Sequence, residues 1–295
     1  MLVNSAGLQI KLYFKAENFQ KTGSFKARGA LNAIKILQES GADTKGVITH
    51  SSGNHGQALA WAAAEAGLPC TVVAPENSPK TKLDAIESYG AKVVKCKPTF
   101  IDRAKVCGEL KHQLGYEEVN PHNDERVIAG QGTIAMEFLE QVPYLDAILV
   151  STGGGGLAAG IGTYASYKRK QCKVFCVEPE GKNLESALVS GIHPVESGYL
   201  NTIADGIRVQ KVGNICFDAM LLYCERRVIT VSEAEIERCT KLIWQRLKLL
   251  VEPSAGAAFA AVFTDKFQRI AREEGIKNVG IVLCGGNVDM EKFCF

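Results

Sequence analysis

Seven short runs rich in Val, Ile and Ala recur along the chain: Gly46–His50, Cys70–Ala74, Ala91–Cys96, Ala147–Ser151, Val174–Glu178, Val228–Val231 and Val279–Cys284. They are nearly continuous apolar runs rather than alternating ones, so strands formed from them have no fully solvated face and their sheets must be covered on both sides. Between them lie stretches with apolar residues at helical spacing: Ala27–Gln38, Gln57–Ala66, Pro79–Tyr89, Ile101–Gln113, Gly130–Gln141, Leu157–Lys170, Glu233–Leu250 and Ala255–Phe267. Strand and helix in alternation predict an α/β fold of mainly parallel sheets flanked by helices. Residues 46–122 hold three strand–helix units of their own, which predicts a small domain inserted into a large one made of 1–45 and 123–295. A chain of 295 residues is long enough to bury a core in each.

Composition narrows the partners. Lys and Arg number 34 against 32 Asp and Glu, so a net charge of +2 gives no electrostatic reason to bind nucleic acid or an acidic membrane. The expected ligand is a small molecule. The 10 cysteines are scattered, mostly in apolar runs, with no C-x-x-C pair, which is the usage of a reducing compartment. No run reaches membrane-spanning length and the first ten residues lack the pattern of a secretion signal, so a cytoplasmic location is expected.

Four stretches carry chemistry. In Lys21-Thr-Gly-Ser-Phe-Lys-Ala-Arg-Gly-Ala30, Lys26 sits in an aromatic and glycine setting where desolvation can turn an ammonium into an amine nucleophile. Read blandly, Thr-Gly-Ser caps a helix and Lys26 points into water. Ser51-Ser-Gly-Asn-His-Gly-Gln57 follows a strand and opens a helix; its glycines let a ligand approach the backbone, and its hydroxyls and amide can bind a carboxylate or ring oxygen, although Ser-Gly-Asn is also ordinary turn chemistry. Thr152-Gly-Gly-Gly-Gly-Leu157 lies between a strand and a helix, where bare backbone N–H groups cradle phosphate; it lacks the Lys and Ser/Thr of a P-loop. Cys284-Gly-Gly-Asn287 ends the last strong strand, at the sheet end where ligands collect in open α/β folds. Glu252-Pro-Ser-Ala-Gly256 is by default a helix start.

Taken in order with Ile128-Ala-Gly-Gln-Gly-Thr133 and Thr202-Ile-Ala-Asp-Gly206, these stretches resemble the fold type II pyridoxal-phosphate enzymes, within them the serine/threonine dehydratase and serine racemase group. The resemblance runs from about Leu12 to Asp289. It implies two lobes, each with a twisted, mainly parallel sheet, and pyridoxal 5'-phosphate held covalently by Lys26, which then acts as base on one face of the substrate. Phe25 would pack near the cofactor ring, Gly153, Gly154, Gly155 and Gly156 would take the phosphate, Asn54 the ring hydroxyl oxygen, and Cys284 would face the pyridine nitrogen. Ser52 matches the second acid/base of the group's racemases. Two bases flanking one carbon let a proton leave on one side and return on the other, interconverting L- and D-serine, with elimination to pyruvate and ammonia from the same site. Ser51, Ser52, Gly53, Asn54 and His55 would bind the substrate carboxylate, and Arg103 matches a residue near the substrate. The resemblance further implies a homodimer, ATP as activator at Lys21, Thr22, Gln57, Tyr89, Lys248 and Asn287, and Mg²⁺ or Ca²⁺ at Glu178.

The departures are specific. The second acid of the metal site, six residues after Glu178, aligns with Leu184, and Val209 stands where racemases often have a serine. Relatives carry a leading helix and a Thr-Pro segment ahead of the stretch matching Leu12, which bears on stability and assembly. Other expectations are an L-serine/L-threonine dehydratase that does not racemise, and an inactive shortened form. A nicotinamide oxidoreductase using the glycine loop leaves Lys26 and Ser51–Gly56 unexplained.

Overall fold

The computed structural model describes residues 2–5, 8–41, 43–51, 53–194 and 198–290. Among these the strands are β1 Leu2–Ser5, β2 Leu8–Ala16, β3 Val47–Thr49, β4 Cys70–Pro75, β5 Lys92–Cys96, β6 Glu117–Glu118, β7 Ala147–Ser151, β8 Lys173–Pro179, β9 Ile229–Val231 and β10 Asn278–Leu283. They form two sheets, and the chain divides into two compact units: Met1–Phe19 with Gly132–Phe295, and Gln20–Gln131.

In the larger unit the order is β1-β2-β10-β7-β8-β9, parallel throughout except where β1 pairs antiparallel with β2. The strand β2 was not among the expected ones, although its alternation of Ile10, Leu12 and Phe14 with polar or half-exposed neighbours is a period-two pattern. Ile10 and Leu12 are buried, and Phe14 meets Phe259 edge-on at 5.5 Å. The register aligns Ile281 with Leu149 and Ser151 with Val177. Consequently the carboxyl ends of β10, β7 and β8 lie side by side, so Cys284, the glycine loop and Glu178, near the end of β8, gather at one end of the sheet.

The smaller unit has the all-parallel order β5-β4-β3-β6. Its main core is lined by Ala30, Ala33, Ile34 and Leu37 of the helix Lys26–Glu39 against Ala58, Leu59, Ala62 and Ala63 of the helix Asn54–Glu65. Alanines on facing helices allow close approach, and that packing groups residues 20–45 with this unit. The expected insertion 46–122 thus lies inside a wider unit that also takes in the Lys26 helix and residues 123–131.

Two expected helices are broken. The one from Glu233 is α-helical to Leu242, continues as a π-helical turn over Ile243–Leu247 and stops at Lys248, whose φ is 59°. The one expected over 255–267 is α-helical from Pro253 to Ala260, and a new helix Asp265–Glu274 starts where the Thr264 side chain accepts from the Phe267 N–H. Leu184–Ser190 and Asn214–Tyr223 are further helices, outside the expected set.

Gly56 and Gly108 test whether the loop after β3 is held by contact. A Cβ on Gly56 would lie 2.2 Å from the Ser51 carbonyl oxygen, whereas one on Gly108, inside the helix Phe100–Leu114, meets nothing within 4 Å. Gly56→Ala is expected to cost about 2–3 kcal/mol by overpacking, and Gly108→Ala to stabilise by about 0.5–1 kcal/mol by restricting the unfolded chain. Urea denaturation of the two variants reads both signs.

Candidate active site

Thr22 and Gly23, with φ values of 60° and 72°, form the tight turn that precedes Lys26. The helix then begins at Lys26, and its N-cap residue, Phe25, makes no side-chain capping bond. Ser24 is fully buried with its Oγ unpartnered among the described residues, so the turn is not a serine cap. Lys26 is half-buried rather than in open water. Its Nζ donates to the Pro121 carbonyl and lies 5.1 Å from the centre of the Phe25 ring.

The loop after β3 supplies the rest of this unit's set. Ser51 Oγ accepts from the Gly53 N–H at 3.4 Å, and a Cβ on Gly53 would meet nothing within 4 Å. The backbone there is open to a ligand. Ser52 lies outside the described residues. Asn54 opens the helix, and one turn later the buried Gln57 donates its N–H to the Gly53 carbonyl at 3.3 Å. His55 is buried, and its Nε2 is 3.0 Å from the Val119 carbonyl. A carbonyl only accepts, so Nε2 carries the hydrogen. Burial, helped by the Lys26 charge, holds the His55 pKa well below its ordinary value, and His55 is neutral at neutral pH.

His50 was not singled out from the sequence, yet it directly follows β3, with Nε2 3.9 Å from Glu118. Burial and then the charge of Arg103 lower its pKa, while Glu118 raises it. Arg103, in the helix Phe100–Leu114, therefore acts electrostatically on this same loop. Lys21 and Thr22 lie in the turn Lys21–Gly23, against which the Asn54–Glu65 helix with Gln57 packs; Tyr89 is a half-buried member of the core.

In the larger unit, Thr152 to Gly156 are all buried. The Thr152 N–H donates to Val177, but the N–H groups of Gly153, Gly154, Gly155 and Gly156 make no hydrogen bond among the described residues. Unpartnered backbone donors on buried glycines at the start of the helix Gly156–Lys168 suit an anion such as a phosphate. Gly155 has φ 93°, and a Cβ there would come 2.8 Å from that of Cys216. Only glycine fits. Ser151 Oγ donates to Cys284 Sγ at 3.7 Å, which orients the thiol at the neighbouring strand end. Within this unit the glycine N–H groups without an acceptor among the described residues and the buried Cys284 thiol fit the phosphate and ring of pyridoxal phosphate. Lys248 Nζ is turned back to the Gln245 carbonyl at 2.6 Å, and Asn287 lies on the half-buried stretch after Gly286.

Glu178 is 1% exposed, and its Oε2 makes no hydrogen bond among the described residues. Burial pushes its pKa up to about 7, opposed by Lys182, and pushes that of Lys182 down to about 8, opposed by Glu178. Lys182 Nζ donates to the carbonyls of Thr152 at 2.9 Å and Gly153 at 3.2 Å. No signal of spacing singled this lysine out. The surroundings do not fit the expected Mg²⁺ or Ca²⁺: no group of three His, Cys, Asp or Glu able to hold a metal occurs among the described residues, and Leu184 is buried and apolar.

Comparisons with known proteins agree with this donor set. The family model for pyridoxal-phosphate dependent enzymes matches residues 2–285. The chain is 45% identical over 282 residues to the serine racemase of Dictyostelium discoideum, covering 95% of this chain and 85% of that protein. It is 40% identical over 294 residues to the L-threo-3-hydroxyaspartate ammonia-lyase of Saccharomyces cerevisiae, covering 99% and 87%. A solved pyridoxal 5'-phosphate-dependent aspartate racemase superposes with a TM-score of 0.93 at 50% identity, covering 96% and 86%. With the phosphate donors, the amine and the family match in agreement, the chain belongs to the pyridoxal-phosphate dependent enzymes.

Proposed function

We propose that this chain interconverts L- and D-serine and also eliminates the serine β-hydroxyl to give pyruvate and ammonia. The observation that carries the reading is the Lys26 amine, half-buried over Phe25 and fixed on the Pro121 carbonyl, in the unit that also has open backbone at Gly53. Pyridoxal phosphate, when bound, supplies the electron sink that makes the substrate Cα acidic. The protein supplies the rest. Gly153 to Gly156 offer backbone donors to the phosphate, Asn54 one to the ring oxygen, and Cys284 a neutral partner for the ring nitrogen. Ser51, Gly53, Asn54 and His55 receive the carboxylate, with Arg103 adding positive charge to the loop. Lys26 moves the Cα proton on one face and Ser52 on the other. Neutral His55 places no second fixed cation beside Lys26.

Serine racemase relatives support serine as substrate. A second reading, a dicarboxylic substrate, is favoured by the 50% identity to the solved aspartate racemase; against it, Asn120–Arg126 holds no run of serines to take a second carboxylate. The same reading includes ATP as an activator at the six positions named above and a homodimer. A cytoplasmic location is supported by nine free cysteines among the described residues, eight of them buried.

Incubation of the holoenzyme with L-serine and, separately, L-aspartate, quantifying D-amino acid and keto acid together, tests the assignment. D-serine is the expected major enantiomer formed; D-aspartate in its place moves the substrate to the dicarboxylic class. Lys26→Ala should lose both products and the absorbance of lysine-bound cofactor. Ser52→Ala should lower racemisation by about 100-fold or more while elimination persists; equal loss of both would remove Ser52 as the second base.

His55 also predicts a pH dependence. The unfolded chain takes up the proton near the ordinary value of 6.5 and the folded chain only well below it, so the unfolded state binds more protons between those limits. Stability is full above the ordinary value and falls as pH drops toward the folded one. The urea midpoint should therefore decrease on acidification, with a shallower slope in His55→Gln, which keeps a donor for Val119.

A further inference from the structure

We propose that the Lys182 ammonium is a built-in counter-cation to Glu178 that fixes the glycine loop from its carbonyl side, so that this chain holds its cofactor loop without a divalent metal. Both groups are buried four residues apart in sequence, with the Lys182 ammonium bonded to the loop carbonyls beside β8 rather than in a direct ion pair, and each charge acts on the other across that short gap. The ammonium already occupies the Thr152 and Gly153 carbonyl oxygens, the natural oxygen ligands next to Glu178 for a hard cation. A metal placed there would face a positive charge and an apolar Leu184. The other carboxylates are committed elsewhere: Glu185 pairs with Lys266, and Asp146 accepts from the N–H groups of Lys277 and Asn278 at 2.9 and 2.8 Å.

The placement has a consequence for the loop. With the two carbonyls held by Nζ, the peptide planes of 152–154 are pinned and the N–H groups of the following glycines stay aimed at the phosphate. Lys182 is thus a positioning residue, acting through the loop.

Metal content and thermal melting of the holoenzyme, without substrate, test the inference separately from the racemase assignment, because neither readout depends on which amino acid reacts. After dialysis the wild-type protein should retain well under one Mg²⁺ or Ca²⁺ per chain, and its Tm should be the same in EDTA and in millimolar Mg²⁺ or Ca²⁺. One retained metal per chain, or a clear Tm loss in EDTA, overturns the proposal whether or not any variant folds. Lys182→Met, close in shape but uncharged, should lower Tm by about 5 °C or more and weaken pyridoxal phosphate binding by about tenfold or more. Wild-type melting and affinity in that variant would show that the charge has no role. In Lys182→Ala, which vacates the ammonium's place beside Glu178, millimolar Mg²⁺ or Ca²⁺ should restore part of the lost Tm; equal rescue of wild type by the same ions counts against the built-in cation.

Discussion

Four consecutive buried N–H groups without acceptors among the described residues govern the larger unit. Leaving one such donor buried and unpaired costs about 1–3 kcal/mol, which is the physical argument for reading the run from Gly153 to Gly156 as an anion site. The mid-sheet position of β7 makes the arrangement rigid: β10 flanks it on one side and β8 on the other. The Thr152 N–H is the last donor to be satisfied by the sheet, through Val177. From Gly153 onward the chain leaves the ladder and its N–H groups, through Gly156, have no acceptor among the described residues.

Everything nearby is arranged to keep that backbone in place. Gly155 adopts φ 93° against Cys216 and Met220, where any side chain would collide. Ser151 directs a hydrogen bond to Cys284 across the β7–β10 pair, and Lys182 grips the loop from its carbonyl side. Buried Glu178 then makes electrostatic sense beside a cation that the chain itself provides. The same logic holds in the smaller unit, where the positive φ of Thr22, an unusual conformation for a β-branched residue, precedes the helix that carries Lys26. The amine is held at that helix's first turn by a backbone carbonyl and an aromatic ring.

Much of this is legible in the amino-acid sequence. Consecutive apolar runs announce parallel strands, because burial on both faces leaves no polar positions. The tetraglycine announces an anion site, because glycine in that number is unfavourable in an ordinary turn. Two of the three strands outside the expected set, β6 and β2, differ from it for identifiable physical reasons. β6 is two residues of glutamate, too short to show any period, and β2 alternates apolar with polar residues instead of forming a continuous apolar run. The helix from Glu233 ends early because its last turn widens to a π-helix before Lys248, and nothing in a run of helix-forming residues encodes that change of pitch.

Sequence by itself determined the α/β class and the family, and it singled out Lys26, the Ser51–His55 stretch, Gly153–Gly156 and Cys284 as candidates, because each depends on local pattern: periodicity, glycine runs, and chemistry-bearing residues beside a strand end. Tertiary structure decided which charges meet. Lys182 gives no sign in the chain that its ammonium reaches back some thirty residues to the Thr152 and Gly153 carbonyls, nor does His50 that Arg103 and Glu118 bear on it. Such pairings come from the parallel register that lays strand ends side by side, and register is a property of the packed sheet rather than of any one of its strands.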